Sequence, residues 1–214
     1  MSGSSAKVVI LGDSAVGKTS LIQRYISGRT DIQNSTLGAV FVKLEHNFKN
    51  DKGKTFNLPI QFWDTAGQER YNALIPMYVR DADYVILAFD STSIISFINL
   101  KKWLKFGKDS IKSPQFILVG CKNDLNKNVS DEEVEKFRKQ YIPDSNFFSC
   151  SSMTGENIHD LFLHIKLGLE KIGENRILLN SFGSNKNISI DDYDSLFNGN
   201  SYIELDRVKN KCCF

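Results

Sequence analysis

The 214-residue sequence predicts an α/β fold: an open, mostly parallel six-stranded sheet with helices on both faces, followed by a disordered C-terminal tail. Two observations carry this. Short apolar strand runs alternate with helical patterns along most of the chain, and a parallel strand pair cannot be closed by a tight turn, so the helices must act as crossovers. From about residue 173 the pattern fades. Seven of the last 42 residues are Asn, and Ser, Gly and Asp fill much of the rest, too little apolar surface to offset the entropy of ordering.

The expected strands are 6–11, 38–48, 55–63, 83–89, 115–121 and 146–150, each rich in β-branched or aromatic residues. The second and third flank Asn50-Asp51-Lys52-Gly53 and are close enough to form a hairpin. Helical spacing marks 17–27, 69–78, 94–108, 131–141 and 157–172. The fourth of these opens with Ser130 and Glu133, a capping box. One domain over 1–172 and a flexible tail over 173–214 follow. Ligands of such sheets sit at the carboxyl ends of the strands.

Composition excludes several functions. The 27 basic and 25 acidic residues leave a net charge of +2, which argues against a dominant nucleic-acid surface. The start, MSGSSAKVVIL, has neither a secretory pattern nor a Gly at position 2 for myristoylation. The longest apolar run, Tyr84 to Phe89, is too short to span a bilayer. Cys121, Cys150, Cys212 and Cys213 form no disulfide framework or metal-ligand ladder, in keeping with a cytosolic chain.

Chemistry first becomes specific at Gly12-Asp13-Ser14-Ala15-Val16-Gly17-Lys18-Thr19, which fits G-x-x-x-x-G-K-[ST] between a strand and a helix. The glycines let backbone N–H groups face a phosphate, the helix adds its positive end, Lys18 reaches the outer phosphates and the Thr19 hydroxyl ligates magnesium. Ser14, Ala15, Val16, Gly17, Lys18, Thr19 and Ser20 are therefore candidate nucleotide contacts. A phosphate loop alone leaves kinase, ATPase and GTPase open. The stretch FWDTAGQER, residues 62–70, adds an acid for the metal (Asp64), a backbone N–H for a terminal phosphate (Gly67) and an amide to orient an attacking water (Gln68).

With both motifs in place, the chain resembles the Ras superfamily of small GTPases and, within it, the Rab family over residues 6 to about 172. Trp63, Tyr78-Val79-Arg80-Asp81-Ala82, Phe97, Asn99, Leu100 and Trp103 look like Rab positions. DSAVGKTS, STLGAVF, FWDTAGQERY and PMYVRDA look most like the early-endosomal branch. The resemblance implies a magnesium-dependent GTPase switch of vesicle or endosomal traffic, with GTP and GDP as ligands. Gln68 is then the catalytic residue, and Thr19, Thr36 and Asp64 hold the metal. It also implies effectors, an exchange factor, a GTPase-activating protein and a prenylation escort or GDI-type protein as partners. The expected location is the cytoplasmic face of endosomal or vesicular membranes, in exchange with cytosol. A binding module with fast nucleotide exchange and little useful hydrolysis is the alternative.

In GCKNDL, residues 120–125, Asp124 then faces guanine: a carboxylate only accepts, and guanine offers two adjacent donors where adenine offers an acceptor and none beside it. Lys122 lies over the base, and Ser151, Ser152 and Met153 supply the last contacts in SCSSMTG. The family's pattern is broken at this end. Its usual Asn is Cys121, a Thr on the last strand is Cys150, a Lys is Met153, and the aromatic that covers the base is missing, with Thr30 nearest its place. Weaker retention of nucleotide follows, and a Cys121–Cys150 disulfide is one way to regulate it. The terminal Lys211-Cys212-Cys213-Phe214 resembles the Rab pattern of double geranylgeranylation, with Cys212 and Cys213 as the lipid sites.

Overall fold

The computed structural model describes residues 5–30, 39–49, 53–65, 73–111 and 115–183. Strand β1 (Ala6–Leu11) lies inside the sheet because its residues serve both faces: Val8 and Ile10 are buried on one side, Val9 and Leu11 on the other. It pairs in parallel with β5 (Ile60–Thr65) and with β6 (Tyr84–Asp90). β7 (Gln115–Cys121) and β8 (Asn146–Ser149) extend the sheet in parallel, and β2 (Ala39–Leu44) pairs antiparallel with β5 on the other side. The six-stranded order is β2-β5-β1-β6-β7-β8, and every pairing in it but β2 with β5 is parallel, in keeping with the mostly parallel sheet that the alternating pattern predicts.

The hairpin is present, but each of its expected long strands divides. After β2 the chain bends at Glu45-His46 and resumes as β3 (Asn47–Lys49), which pairs with β4 (Thr55–Asn57) in a separate two-stranded sheet. Pro59, lacking an N–H, interrupts the second strand; its carbonyl accepts from Ala6 N at 2.8 Å, and Leu58 N donates to His46 O at 2.7 Å.

Helices α1 (Lys18–Ser27) and α6 (Ile158–Gly183) cover one face, where Leu21, Ile22, Leu161, Phe162 and Ile165 pack with Val8, Ile10, Phe62 and Ile86. The opposite face carries α2 (Ile75–Val79), α3 (Ile94–Ile98), α4 (Leu100–Ser110) and α5 (Asp131–Tyr141). There Val79, Leu100, Trp103, Leu104 and Phe137 pack with Val9, Leu11, Val85 and Leu87. Each such buried side chain contributes about 1.5–3 kcal/mol.

Three helices differ from expectation. The helix expected over 69–78 is seen only as α2, residues 66–72 lying outside the described residues. The one over 94–108 divides at Asn99, which caps α3 and opens α4. The last runs on to Gly183, so 173–183, expected as tail, are helical; Glu174, Arg176, Leu178 and Leu179 are good helix formers. The chain divides into two units, residues 1–174 and 175–214, and positions 184–214 lie outside the described residues. Among the described residues no helix is long and apolar enough to cross a membrane.

Candidate nucleotide site

The phosphate loop follows β1 directly. Gly12 passes so close to β6 that a Cβ there would lie 2.2 Å from the Ala88 carbonyl oxygen, and Gly17 has φ 113°, a conformation side chains disfavour. Ala15 is also left-handed, at φ 62°. These turns bring the chain round to start α1 at Lys18, so the loop and the helix N-terminus face one point. Val16 is buried beneath it, while Ser14 and Ala15 are exposed and Ser20 is half-buried.

The Lys18 ammonium is buried and donates to the carbonyls of Gly12 at 2.9 Å and Asp13 at 2.7 Å. Burial lowers its pKa to about 8, against the opposing pull of Asp64, Cys121 and Asp13. Parallel pairing of Ile10 with Asp64 sets the β5 acid beside the loop, and Thr65 Oγ1 fixes the register by donating to Ile10 O at 2.6 Å. Thr19 Oγ1 then donates to Asp64 Oδ2 at 2.5 Å.

A hydroxyl and a carboxylate, both hard oxygen donors, thus converge beside the phosphate loop. The set fits magnesium, which keeps several waters and needs few protein ligands; no group of three or more His, Cys, Asp or Glu is assembled among the described residues. Thr36, Gly67 and Gln68 lie outside the described residues, as do Cys212 and Cys213.

A protein-family model for the Ras family matches residues 7–171. The chain is similar to the Ras-related protein Rab-5B of Plasmodium falciparum, 39% identical over 73% of each chain. It is 39% identical to the GTP-binding protein ypt5 of Schizosaccharomyces pombe over 77% of this chain and 78% of that one. With the Ras-related protein Rab-5A of Dictyostelium discoideum the identity is 36% over 97% of this chain and 94% of that one. The chain belongs to the Ras family, as a Rab GTPase of the early-endosomal branch. It is a GTP-hydrolysing switch of endosomal membrane traffic, and a binding module without useful hydrolysis is not favoured.

The guanine-facing residues of this Rab GTPase come to the same end of the sheet from β7 and β8. Asp124 is held by Ser151, whose hydroxyl donates to Oδ1 at 2.5 Å. Ser151 is fully buried and its oxygen also accepts from Thr154 N at 3.1 Å. Asn123 ties the two loops together: its N–H donates to Cys150 O at 3.1 Å, its Oδ1 accepts from Ser149 at 2.7 Å, and its Nδ2 donates to Glu156 at 2.9 Å.

The ammonium of Lys122, whose stem is expected over the base, reaches Asp90 Oδ2 at 2.5 Å. Burial alone would raise the Asp90 pKa, but the bonds from Lys122 and Thr92 outweigh it and lower it. Met153 is 70% exposed, and its sulfur and the Ser152 carbonyl lie 3.7 and 3.4 Å from Thr30 Oγ1. Thr30 and the last motif are therefore neighbours.

Cys121 ends β7 and Cys150 directly follows the neighbouring β8, with Gly120 paired to Ser149 one residue earlier and Cys150 N donating to Gly120 O at 2.7 Å. Both are free and buried. Burial pushes the Cys121 thiol up to about 12 and the Cys150 thiol higher still, so these are apolar fillers with little thiolate character. Cys121 also lies beside the phosphate loop, where a Cβ on Gly17 would be 3.5 Å from the Cys121 Cβ.

Sequence reasoning missed Asp90, Asp13 and the hydroxyl role of Ser151. Asp13 occupies an x position of the phosphate-loop pattern, and the partners of Asp90 and Ser151 are 32 and 27 residues distant, so no local signal marks them.

Proposed function

We propose that this Rab GTPase binds guanine nucleotide with magnesium at the carboxyl ends of β1, β5, β7 and β8. The N–H groups of Ser14 through Ser20 take the phosphates together with Lys18; Thr19, Asp64 and Thr36 hold the metal; Gly67 senses the terminal phosphate. Magnesium, when bound, neutralises charge on the phosphates. Lys18 leaves the loop carbonyls to pair with phosphate oxygens, Gln68 orients the attacking water, and loss of the Thr36 and Gly67 contacts after hydrolysis releases their segments. Asp124 accepts from the two guanine donors, backed by Ser151, while Ser152 and Met153 offer backbone N–H groups to the guanine oxygen.

The observation that carries the reading is the convergence of the phosphate loop and the Ser151-held Asp124 at one end of the sheet, with Cys121, at the end of β7, beside Gly17 of the loop. Titration with GDP, GTP and ATP tests it. Guanine nucleotides bind and ATP does not, because adenine turns an acceptor to Asp124 and leaves its base-facing acceptor sites without donors. Comparable ATP affinity would overturn the assignment.

Residues 1–172 constitute the switch and 173–214 its link to the membrane, with Cys212 and Cys213 carrying geranylgeranyl groups. Two chains anchor stably where one is marginal. A chain so anchored works on the cytoplasmic face of endosomal or vesicular membranes, cycling through cytosol with an escort of the GDI type, and regulated by an exchange factor, a GTPase-activating protein and effectors. Intact-mass measurement of protein from its own cells shows two prenyl additions; an unmodified C-terminus would remove this part of the proposal.

A further inference from the structure

The phosphate loop contains a carboxylate, Asp13, next to the backbone that is to receive an anion. Its two oxygens are both taken by α4 and the residue that opens it: Asn99 Nδ2 donates to Oδ2 at 2.7 Å and Trp103 Nε1 donates to Oδ1 at 2.7 Å. Trp103 is fully buried among Leu11, Val85 and Leu104, so its donor has a fixed direction. Asn99 is only half-buried, and Asp13 is half-buried as well. The carbonyl of the same Asp13 accepts from Lys18 at 2.7 Å.

We infer that Asn99 and Trp103 clamp Asp13 so that its negative charge is held away from the phosphate site, making this pair positioning residues for nucleotide retention. The inference rests on the guanine-nucleotide reading above. Two hydrogen bonds disperse the charge on the carboxylate and fix its direction, and the loop backbone is left to present its N–H groups. An unclamped carboxylate in that loop repels the phosphates, and it competes with them for Lys18. The clamp also anchors the loop to α4, so the loop does not have to be ordered when nucleotide arrives.

The arrangement makes a prediction that a merely structural role does not. Removing a clamp donor weakens phosphate binding through the freed charge, so removing the charge as well reverses the loss. Release of a fluorescent GDP is measured with the full chain and magnesium for wild type, Asn99→Ala, Trp103→Phe, Asp13→Asn and the combinations with Asp13→Asn. Asn99→Ala, at the half-buried position, is the variant that leaves the core untouched.

Asn99→Ala speeds release about tenfold, the scale of one hydrogen bond to a charged group. The excess is larger at low salt than at high salt, since screening weakens the repulsion. Adding Asp13→Asn brings release back to within about twofold of Asp13→Asn alone, the residue left by non-additivity between touching groups. Wild-type release in Asn99→Ala and Trp103→Phe, or no reversal by Asp13→Asn, overturns the clamp. Uptake of labelled GDP by the wild type tests the site itself: no uptake sinks the proposed function and the clamp together, whereas normal uptake with unchanged variant ratios sinks only the clamp.

Discussion

The hydroxyl of Ser151 and the carboxylate of Asp124 meet at 2.5 Å, joining the loop after β8 to the loop after β7. Both lie at the sheet end where the phosphate loop turns, and Ser151 has no exposure to water. The hydrogen bond aims the carboxylate and leaves acceptor sites on both oxygens for the two guanine donors. Ser151→Ala therefore lowers GDP affinity about tenfold without admitting ATP, because orientation is lost and selectivity is not. Asp124→Asn shifts preference toward xanthine nucleotides, whose added carbonyl accepts from the new amide. Competition binding with GDP, XDP and ATP checks both, and unchanged GDP affinity in Ser151→Ala would show that the aim of Asp124 does not depend on this bond.

Lys18 gives the site a pH dependence with a definite sign. Burial lowers its pKa from 10.5 to about 8, so the nucleotide-free chain loses this proton as pH rises through that value. Phosphate recovers it. GDP affinity is thus level below about pH 7 and falls above pH 8 by up to about tenfold per unit. Binding at pH 9 takes up a proton, read as a calorimetric heat that varies with the buffer's ionisation enthalpy. The folding linkage has the same origin: between about 8 and 10.5 the unfolded chain holds more protons at this residue, so its contribution to stability rises with pH across that window. Equal heats in both buffers at pH 9 would refute the shift.

Gln68→Leu lowers GTP hydrolysis about 10²-fold and leaves GTP affinity within a factor of two, because the residue positions water and does not hold nucleotide. Thr19→Asn acts differently: it removes the hydroxyl that meets Asp64 and weakens the magnesium-dependent GTP state. Single-turnover hydrolysis with a phosphate-release readout separates the two. Wild-type hydrolysis in Gln68→Leu would return the binding-module reading to contention.

Cys121 and Cys150 stand where the family pattern has hydrogen-bonding side chains, and neither buried thiol replaces them with more than a weak S–H contact, such as that of Cys150 to Asn157 O at 3.6 Å. Fast GDP release is the expected outcome, read from dissociation of a fluorescent GDP. Cys121→Asn with Cys150→Thr slows it by more than the two single changes combined, since the two positions lie at adjacent strand ends. Their raised pKa values also predict that a thiol reagent leaves both unmodified in the folded protein. If the double variant releases GDP at the wild-type rate, Thr30 and Met153 carry the weakened grip instead.

What the sequence determined by itself was local and periodic. The phosphate loop was legible because glycines, Lys18 and Thr19 must stand at fixed spacing for one backbone turn to face an anion, and Asp64 because it ends a strand after that loop. Six strands in a mostly parallel sheet followed from the alternation of strand and helix, and the α5 capping box from Ser130 and Glu133, three residues apart. Boundaries were less legible. Pro59 and Asn99 divide elements whose apolar patterns continue through them, and α6 outlasts the compositional change at 173 because helix propensity belongs to individual residues.

Only the tertiary structure decided which distant groups meet. Ser151 with Asp124, Lys122 with Asp90, and Asn99 and Trp103 with Asp13 are pairs separated by 27 to 90 residues, and each depends on sheet order and strand register. A side chain's identity limits what it can donate or accept. Its partner is chosen by the packing that brings two strand ends to one place, and no window of sequence contains both.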